Sequence, residues 1–195
     1  KSVFTATAKN NFIFDIEEGS KSIRNHPELH DNVTILPYKS SYQVESTIDY
    51  FKRNDPRLAK FEVVTLDSFT AYQQKDIIAH VRTESAKDSS RNPYLPVGTD
   101  YNINTQHMKR IAQDLHDLER HVIITCLKKE VQDETGALYI RPDLTDKLAA
   151  YCAGMFDLVG YLTADIGSDG SVSNRRLQVH PTTRVAAKTR IGGLP

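Results

Sequence analysis

The stretch Phe61-Glu62-Val63-Val64-Thr65-Leu66-Asp67-Ser68 decides the fold. A short apolar, β-branched run closed by an acid reads as a buried strand. A second run, Phe12-Ile13-Phe14, ends in Asp15-Ile16-Glu17. In a parallel sheet the carboxyl ends of the strands line the ligand crevice. Two acid-ended strands therefore put Asp67 and Glu17 where a ligand would sit.

Outward from these strands, apolar runs alternate with helical patterns. Residues 11–15, 33–36, 61–66 and 121–126 read as strands, and 40–54, 69–82, 104–119 and 143–153 as helices. Ser40 and Gln43 make a capping-box pair, with Val44, Ile48 and Phe51 on one helical face. Met108, Ile111, Leu115 and Leu118 repeat at core spacing. Residues 84–103 and 128–142 are polar and read as loops. A hairpin is expected from 157–164 and 175–180 around the turn 165–171, with a last strand at 184–188. Alternation first and hairpins last predict an α/β fold: a mostly parallel sheet flanked by helices, with an antiparallel C-terminal edge.

The chain has 195 residues, enough for one domain over 1–195 with a real core. It is 39% apolar and 26% charged, with zero net charge. No apolar stretch approaches the ~20 residues that span a bilayer, so no membrane partner is expected. Cys126 and Cys152 form no C-x-x-C pair, and a reducing cytoplasm is the simplest setting. Charge is uneven: from Gly170 onward lie Arg175, Arg176, Arg184, Lys188 and Arg190 with no acid, so this tail carries +5 and the remainder −5. Such a tail is either a solvated basic edge or a surface that meets phosphate.

Lys1-Ser2 matches the last two letters of the phosphate loop G-x-x-x-x-G-K-[ST]. The glycines that cradle phosphate through backbone N–H groups are expected in a further N-terminal segment of about twenty residues, a strand plus most of the loop. Asp67 fits a Mg²⁺-holding acid, or else a helix cap. Glu17 fits a residue that orients an attacking water, or a solvated turn acid. Ser68 follows Asp67. Thr125 ends the strand at 121–126 and either meets phosphate or is satisfied by backbone. Lys188 and Arg190, one residue apart on an extended strand, share a side. They suit a transferring phosphoryl group, or an edge strand protected by charge. His26 and His30 are separated by Pro27 and do not read as a zinc pair; Asp165–Gly170 reads as a turn rather than a calcium loop.

Taken in order, these pieces resemble the RecA-like P-loop ATPases, and within them the small phage recombination ATPases of the Sak type. The strand Phe12-Ile13-Phe14-Asp15-Ile16-Glu17-Glu18-Gly19 looks like that family's catalytic-Glu strand. Val63-Val64-Thr65-Leu66-Asp67-Ser68 looks like its Walker B strand. His121-Val122-Ile123-Ile124-Thr125, the run from Lys128 to Gly136, Ile140-Arg141-Pro142-Asp143-Leu144 and Lys147-Leu148-Ala149 are similar to the phage group's later half. Ala187-Lys188-Thr189-Arg190-Ile191-Gly192 is similar to the Lys-x-Arg-x-Gly element of RadA-like relatives. The chain departs from the group at Leu127, where a polar residue is usual.

The resemblance implies ATP and Mg²⁺ as cofactors, with Lys1 on phosphate, Ser2 and Asp67 on Mg²⁺, and Glu17 as the catalytic carboxylate. It implies DNA-binding loops at 84–103 and 128–142. There Lys87, Arg91, Lys128, Lys129 and Arg141 would track phosphates and Tyr94 would stack a base. The expected function is an ATP-binding, ATP-hydrolysing recombination or annealing protein acting on single-stranded DNA in the cytoplasm of a phage host. Its expected partners are further copies in a ring or filament and a single-strand-binding protein. The alternative is a module on the same fold that binds DNA or a partner without hydrolysis.

Overall fold

Strand β1 is Asn11–Asp15, β2 Val33–Pro37, β3 Val63–Asp67 and β4 His121–Ile124. In the structure, a computed structural model that describes residues 1–132 and 136–193, these four pair in parallel in the order β2-β1-β3-β4. Every residue of β1 and β3 is buried, as expected of central strands covered on both faces. Their register runs from Asn11 opposite Val63 to Asp15 opposite Asp67. The two acid-ended strands therefore stop level with each other.

Alternation along β1 splits its side chains between two layers. Ile13 packs with Ala6 and Ile23 on one face, with Leu29, Val33 and Ile35 against them. This face carries the short helix α1 (Ser2–Thr5) and two 3₁₀ helices, Gly19–Asn25 and Pro27–Asn32. On the other face Phe12 meets Phe51 and Phe61 edge to face, at 5.3 and 5.1 Å between centroids. Such pairs add about 0.5–1.5 kcal/mol each beyond burial.

Helix α2 (Ser41–Lys52) buries Val44, Ile48 and Phe51, the face expected from its periodicity. Its cap is a variant of the expected box: Ser40 Oγ accepts from the Gln43 N–H at 3.2 Å, while Gln43 Oε1 accepts from Lys39 rather than Ser40. Helix α3 is Phe69–Lys87 and α4 is Gly98–His116. The connection between them is 88–97, half the length expected of 84–103. The polar residues there are helix-end signals. Lys87 pairs with Glu84 at 2.7 Å in the last turn of α3, and the buried Asp100 accepts from the Val97 N–H at 2.9 Å to start α4.

The chain divides into two compact units, Lys1–Cys126 and Leu127–Pro195. Among its described residues the second holds three antiparallel ladders. Strands β5 (Lys128–Gln132) and β6 (Leu138–Pro142) pair where a loop was expected. Both faces of β5 are largely exposed, so no period of burial marked it in the sequence. Residues 133–135, part of the 128–142 segment, lie outside the described residues. Helix α5 (Asp146–Met155) follows, then β7 (Leu158–Val159), the hairpin of β8 (Tyr161–Ile166) with β9 (Val172–Gln178), and β10 (Lys188–Thr189) on β7. The turn of that hairpin is closed by the Asp169 carboxylate on the Ser171 N–H at 2.9 Å. Among the described residues Cys126 and Cys152 are not joined in a disulfide. Among the described residues no helix is long and apolar enough to cross a membrane.

Candidate functional site

The site grows from the level ends of β1 and β3. The Ile16 N–H donates to the Asp67 carbonyl at 2.7 Å, so Glu17 leaves the sheet beside Asp67. The Thr125 N–H donates to the Leu66 carbonyl at 3.1 Å, which carries the end of β4 to the same edge. Asp67 is 2% exposed, and its carboxylate is held from three sides. Ser2 Oγ donates to Oδ2 at 2.5 Å, Thr125 Oγ1 donates to Oδ1, and Lys1 Nζ lies 3.9 Å from Oδ1.

Glu17 is fixed as well. Lys1 Nζ lies 3.2 Å from both of its carboxylate oxygens, and Ser68 Oγ donates to Oε1. The solvated acid of this turn is its neighbour Glu18, paired with Lys21 at 2.6 Å. The helix-cap alternative for Asp67 is taken by Ser68, whose Oγ accepts from the Ala71 N–H at 3.3 Å. Asp67 is thereby left facing α1. Lys1, Ser2, Glu17, Asp67, Ser68 and Thr125, six residues spread over 125 positions, form one connected cluster.

Gly19 allows this closeness. A Cβ there would sit 2.8 Å from Ser2 Oγ and 3.8 Å from Asp67 Oδ2. Sequence reasoning missed Gly19 and also Asp15, which is 3% exposed at the end of β1. Ser20 holds Asp15 Oδ2 through its N–H at 3.3 Å and through its hydroxyl. Asp15 Oδ1 is buried without a hydrogen-bond partner. The available signal was parity: Asp15 and Asp67 close two strands of equal length.

Among the described residues no group of three His, Cys, Asp or Glu side chains is arranged to hold a metal alone. Mg²⁺ asks for less. It keeps several waters and takes one or two carboxylates plus substrate phosphates. A hydroxyl and a buried carboxylate in contact, Ser2 and Asp67, are the donor set for that mode, and the unpartnered Asp15 oxygen beside them adds acceptor capacity.

Lys188 and Arg190 belong to the second unit, where they serve a helix end. Lys188 Nζ donates to the carbonyls of Ala153 at 2.6 Å and Gly154 at 3.0 Å. Arg190 Nη2 donates to Gly154 at 2.8 Å, and its Nη1 lies 3.4 Å from Asp157 Oδ1. They do share a side, as expected, and there they satisfy the last carbonyls of α5.

The residues expected to meet nucleic acid divide between the two units. Arg91 is bound to Asp100 at 2.6 and 2.8 Å, Lys87 to Glu84, Lys128 to Glu130 at 2.8 Å, and Arg141 to Asp146. Tyr94 is 78% exposed. Lys129 stands directly opposite Arg141 in the β5–β6 ladder.

A family profile described as an AAA domain matches residues 1–191, and no curated protein matches. With the parallel sheet and the cluster at its carboxyl edge already described, that match over nearly the whole chain places it: the chain belongs to the AAA-domain family of P-loop ATPases, a nucleotide-binding family.

Proposed function

We propose that the chain binds ATP with Mg²⁺ and hydrolyses it while acting on single-stranded DNA, as a recombination or annealing protein similar to the phage Sak type. The observation that carries the nucleotide half is the Ser2–Asp67 contact, 2.5 Å long and buried. A bound Mg²⁺ would supply charge neutralisation on the phosphates at Ser2 and Asp67. Lys1 reaches toward the same place and would exchange its bond to Glu17 for phosphate oxygens. Released from Lys1 and still held by Ser68, Glu17 would accept a hydrogen bond from the attacking water and align it. Thr125 keeps Asp67 Oδ1 in place.

Lys188 and Arg190 would leave the α5 carbonyls for the phosphates of a nucleotide held by a neighbouring copy, which implies a ring or filament. In the first unit a base of single-stranded DNA would stack on exposed Tyr94, and in the second Lys129 would meet a phosphate. Arg91, Lys87, Lys128 and Arg141 already have acidic partners and contribute little net attraction. A single-strand-binding protein would be a further partner. The second reading, a module that binds DNA without hydrolysis, is favoured by this same pairing of Lys188 and Arg190 with carbonyls.

Labelled ATP incubated with the full-length protein, Mg²⁺ and single-stranded DNA tests both readings. Phosphate release by wild type, lost in Asp67→Asn, is the expected result. Undiminished release in Asp67→Asn removes this acid from the site. DNA binding without any release establishes the second reading.

A further inference from the structure

Asp15 is the one site-edge carboxylate whose second oxygen has nothing to do. The residue is 3% exposed, Ser20 occupies Oδ2, and Oδ1 is buried with no donor. A buried acceptor oxygen without a partner is unfavourable, and native structures rarely leave one unless it has a task. Its position suggests the task. Asp15 and Asp67 are register partners on adjacent parallel strands. Paired residues share a pleat, so the two side chains stand side by side on the sheet face that carries α1. Asn11 and Thr65, two and one pleats earlier on that face, support the alignment through their own hydrogen bond at 3.0 Å.

Charge points the same way. Lys1 is the ammonium that contacts this cluster, against the carboxylates of Glu17 and Asp67 with Asp15 beside them. One positive and three negative side chains leave an excess of two negative charges, which a divalent cation neutralises. The anchoring of Oδ2 by Ser20 holds the carboxylate still, so that Oδ1 has one fixed direction. A fixed acceptor one strand away from a metal-holding acid suits a water of the metal's shell better than the metal itself.

We propose that Asp15 is an outer carboxylate of the metal site, with Oδ1 accepting a hydrogen bond from a water carried by the divalent cation at Ser2 and Asp67. Asp15 is thus a positioning residue, and Ser20 positions Asp15. The inference rests on the nucleotide–metal reading of the same cluster.

The test is direct metal binding. Mn²⁺ replaces Mg²⁺, and its binding to the full-length protein with ADP is followed by electron paramagnetic resonance of the free ion. Outer-sphere partners typically contribute 10–100-fold to metal affinity. Asp15→Asn keeps the shape and removes the charge, and Mn²⁺ binding is expected to weaken by at least about 10-fold, while metal-free ADP binding is unchanged. Ser20→Ala leaves the carboxylate and frees its anchor, and Mn²⁺ affinity should fall several-fold. Asp67→Asn separates the two levels of the argument. If Asp67→Asn loses Mn²⁺ and both Asp15→Asn and Ser20→Ala bind it as wild type does, the role of Asp15 is overturned and the site stands. If Asp67→Asn also binds Mn²⁺ normally, the metal reading of the whole cluster fails. Should Asp15→Asn not fold, wild-type Mn²⁺ affinity in Ser20→Ala overturns the proposal by itself.

Discussion

Replacing His107 with Ala should destabilise the first unit, and do so far more at pH 5.5 than at pH 8.5. His107 of α4 is clamped between two acids on two other helices. Its Nδ1 lies 2.8 Å from Asp76 Oδ1 of α3, and its Nε2 3.1 Å from Glu45 Oε1 of α2. Ser41 Oγ, 3.2 Å from Asp76 Oδ1, and Asn104 Nδ2, 2.8 Å from Oδ2, complete the surroundings of Asp76, and Arg110 pairs with Glu45. The hydrogen bond to Asp76 raises the His107 pKa above its ordinary 6.5, against the opposing effect of burial. Burial pushes Asp76 up, but His107, Asn104 and Ser41 together hold it below 3.8.

The sign follows from these directions. A histidine with a raised folded pKa contributes fully below its unfolded value of 6.5, and the contribution is lost as pH rises through the folded value. The Asp76 contribution is present above 3.8 and lost as pH falls through its lower folded value. The clamp is therefore strongest between about 4 and 6.5. A charge-assisted hydrogen bond to the nearly buried Asp76 contributes about 1.5–3 kcal/mol, and the more exposed Glu45 bond under about 1 kcal/mol. The loss in His107→Ala is then about 2–4 kcal/mol, or roughly 5–15 °C in Tm for a domain of this size. Thermal melts by circular dichroism at pH 5.5 and 8.5 measure it. An equal loss at both pH values would refute the clamp and leave only a packing role for the ring.

Two other variants probe the site and the second unit. Gly19→Ala puts a Cβ 2.8 Å from a Ser2 hydroxyl that is already engaged with Asp67, and steady-state phosphate release should fall on the order of 10²-fold through misplacement of Ser2; wild-type turnover would show that the close approach is not needed. Lys188→Met with Arg190→Met removes donors from the last carbonyls of α5 and should lower the stability of that unit by about 1–2 kcal/mol in urea titrations. A loss of DNA-stimulated turnover at a temperature where the variant stays folded supports action on nucleotide, and unaltered turnover confines the pair to the helix end.

The sequence by itself determined the parallel sheet and most of the cluster at its edge. Strands 11–15 and 63–67 are buried on both faces, so their apolar runs are continuous and their ends stand out. Asp67, Ser68 and Glu17 follow from those ends and Thr125 from the end of 121–126, whereas Asp15, the last residue of its own strand, was passed over for Glu17. The helix faces of α2 and α4 were legible for the same reason, since burial imposes a period. What carries no period was misread: the exposed β5–β6 ladder looked like a loop, and the ion-paired ends of α3 and α4 looked like a long one. Only the tertiary structure decided that Ser68 rather than Asp67 caps α3, that Gly19 is a matter of 2.8 Å, and that Lys188 and Arg190 hold carbonyls. Only register showed Asp15 beside Asp67. A hydrogen-bond partner fifty or more residues away leaves no mark in local composition, because what selects it is the space between strands and not the residues next to it in the chain.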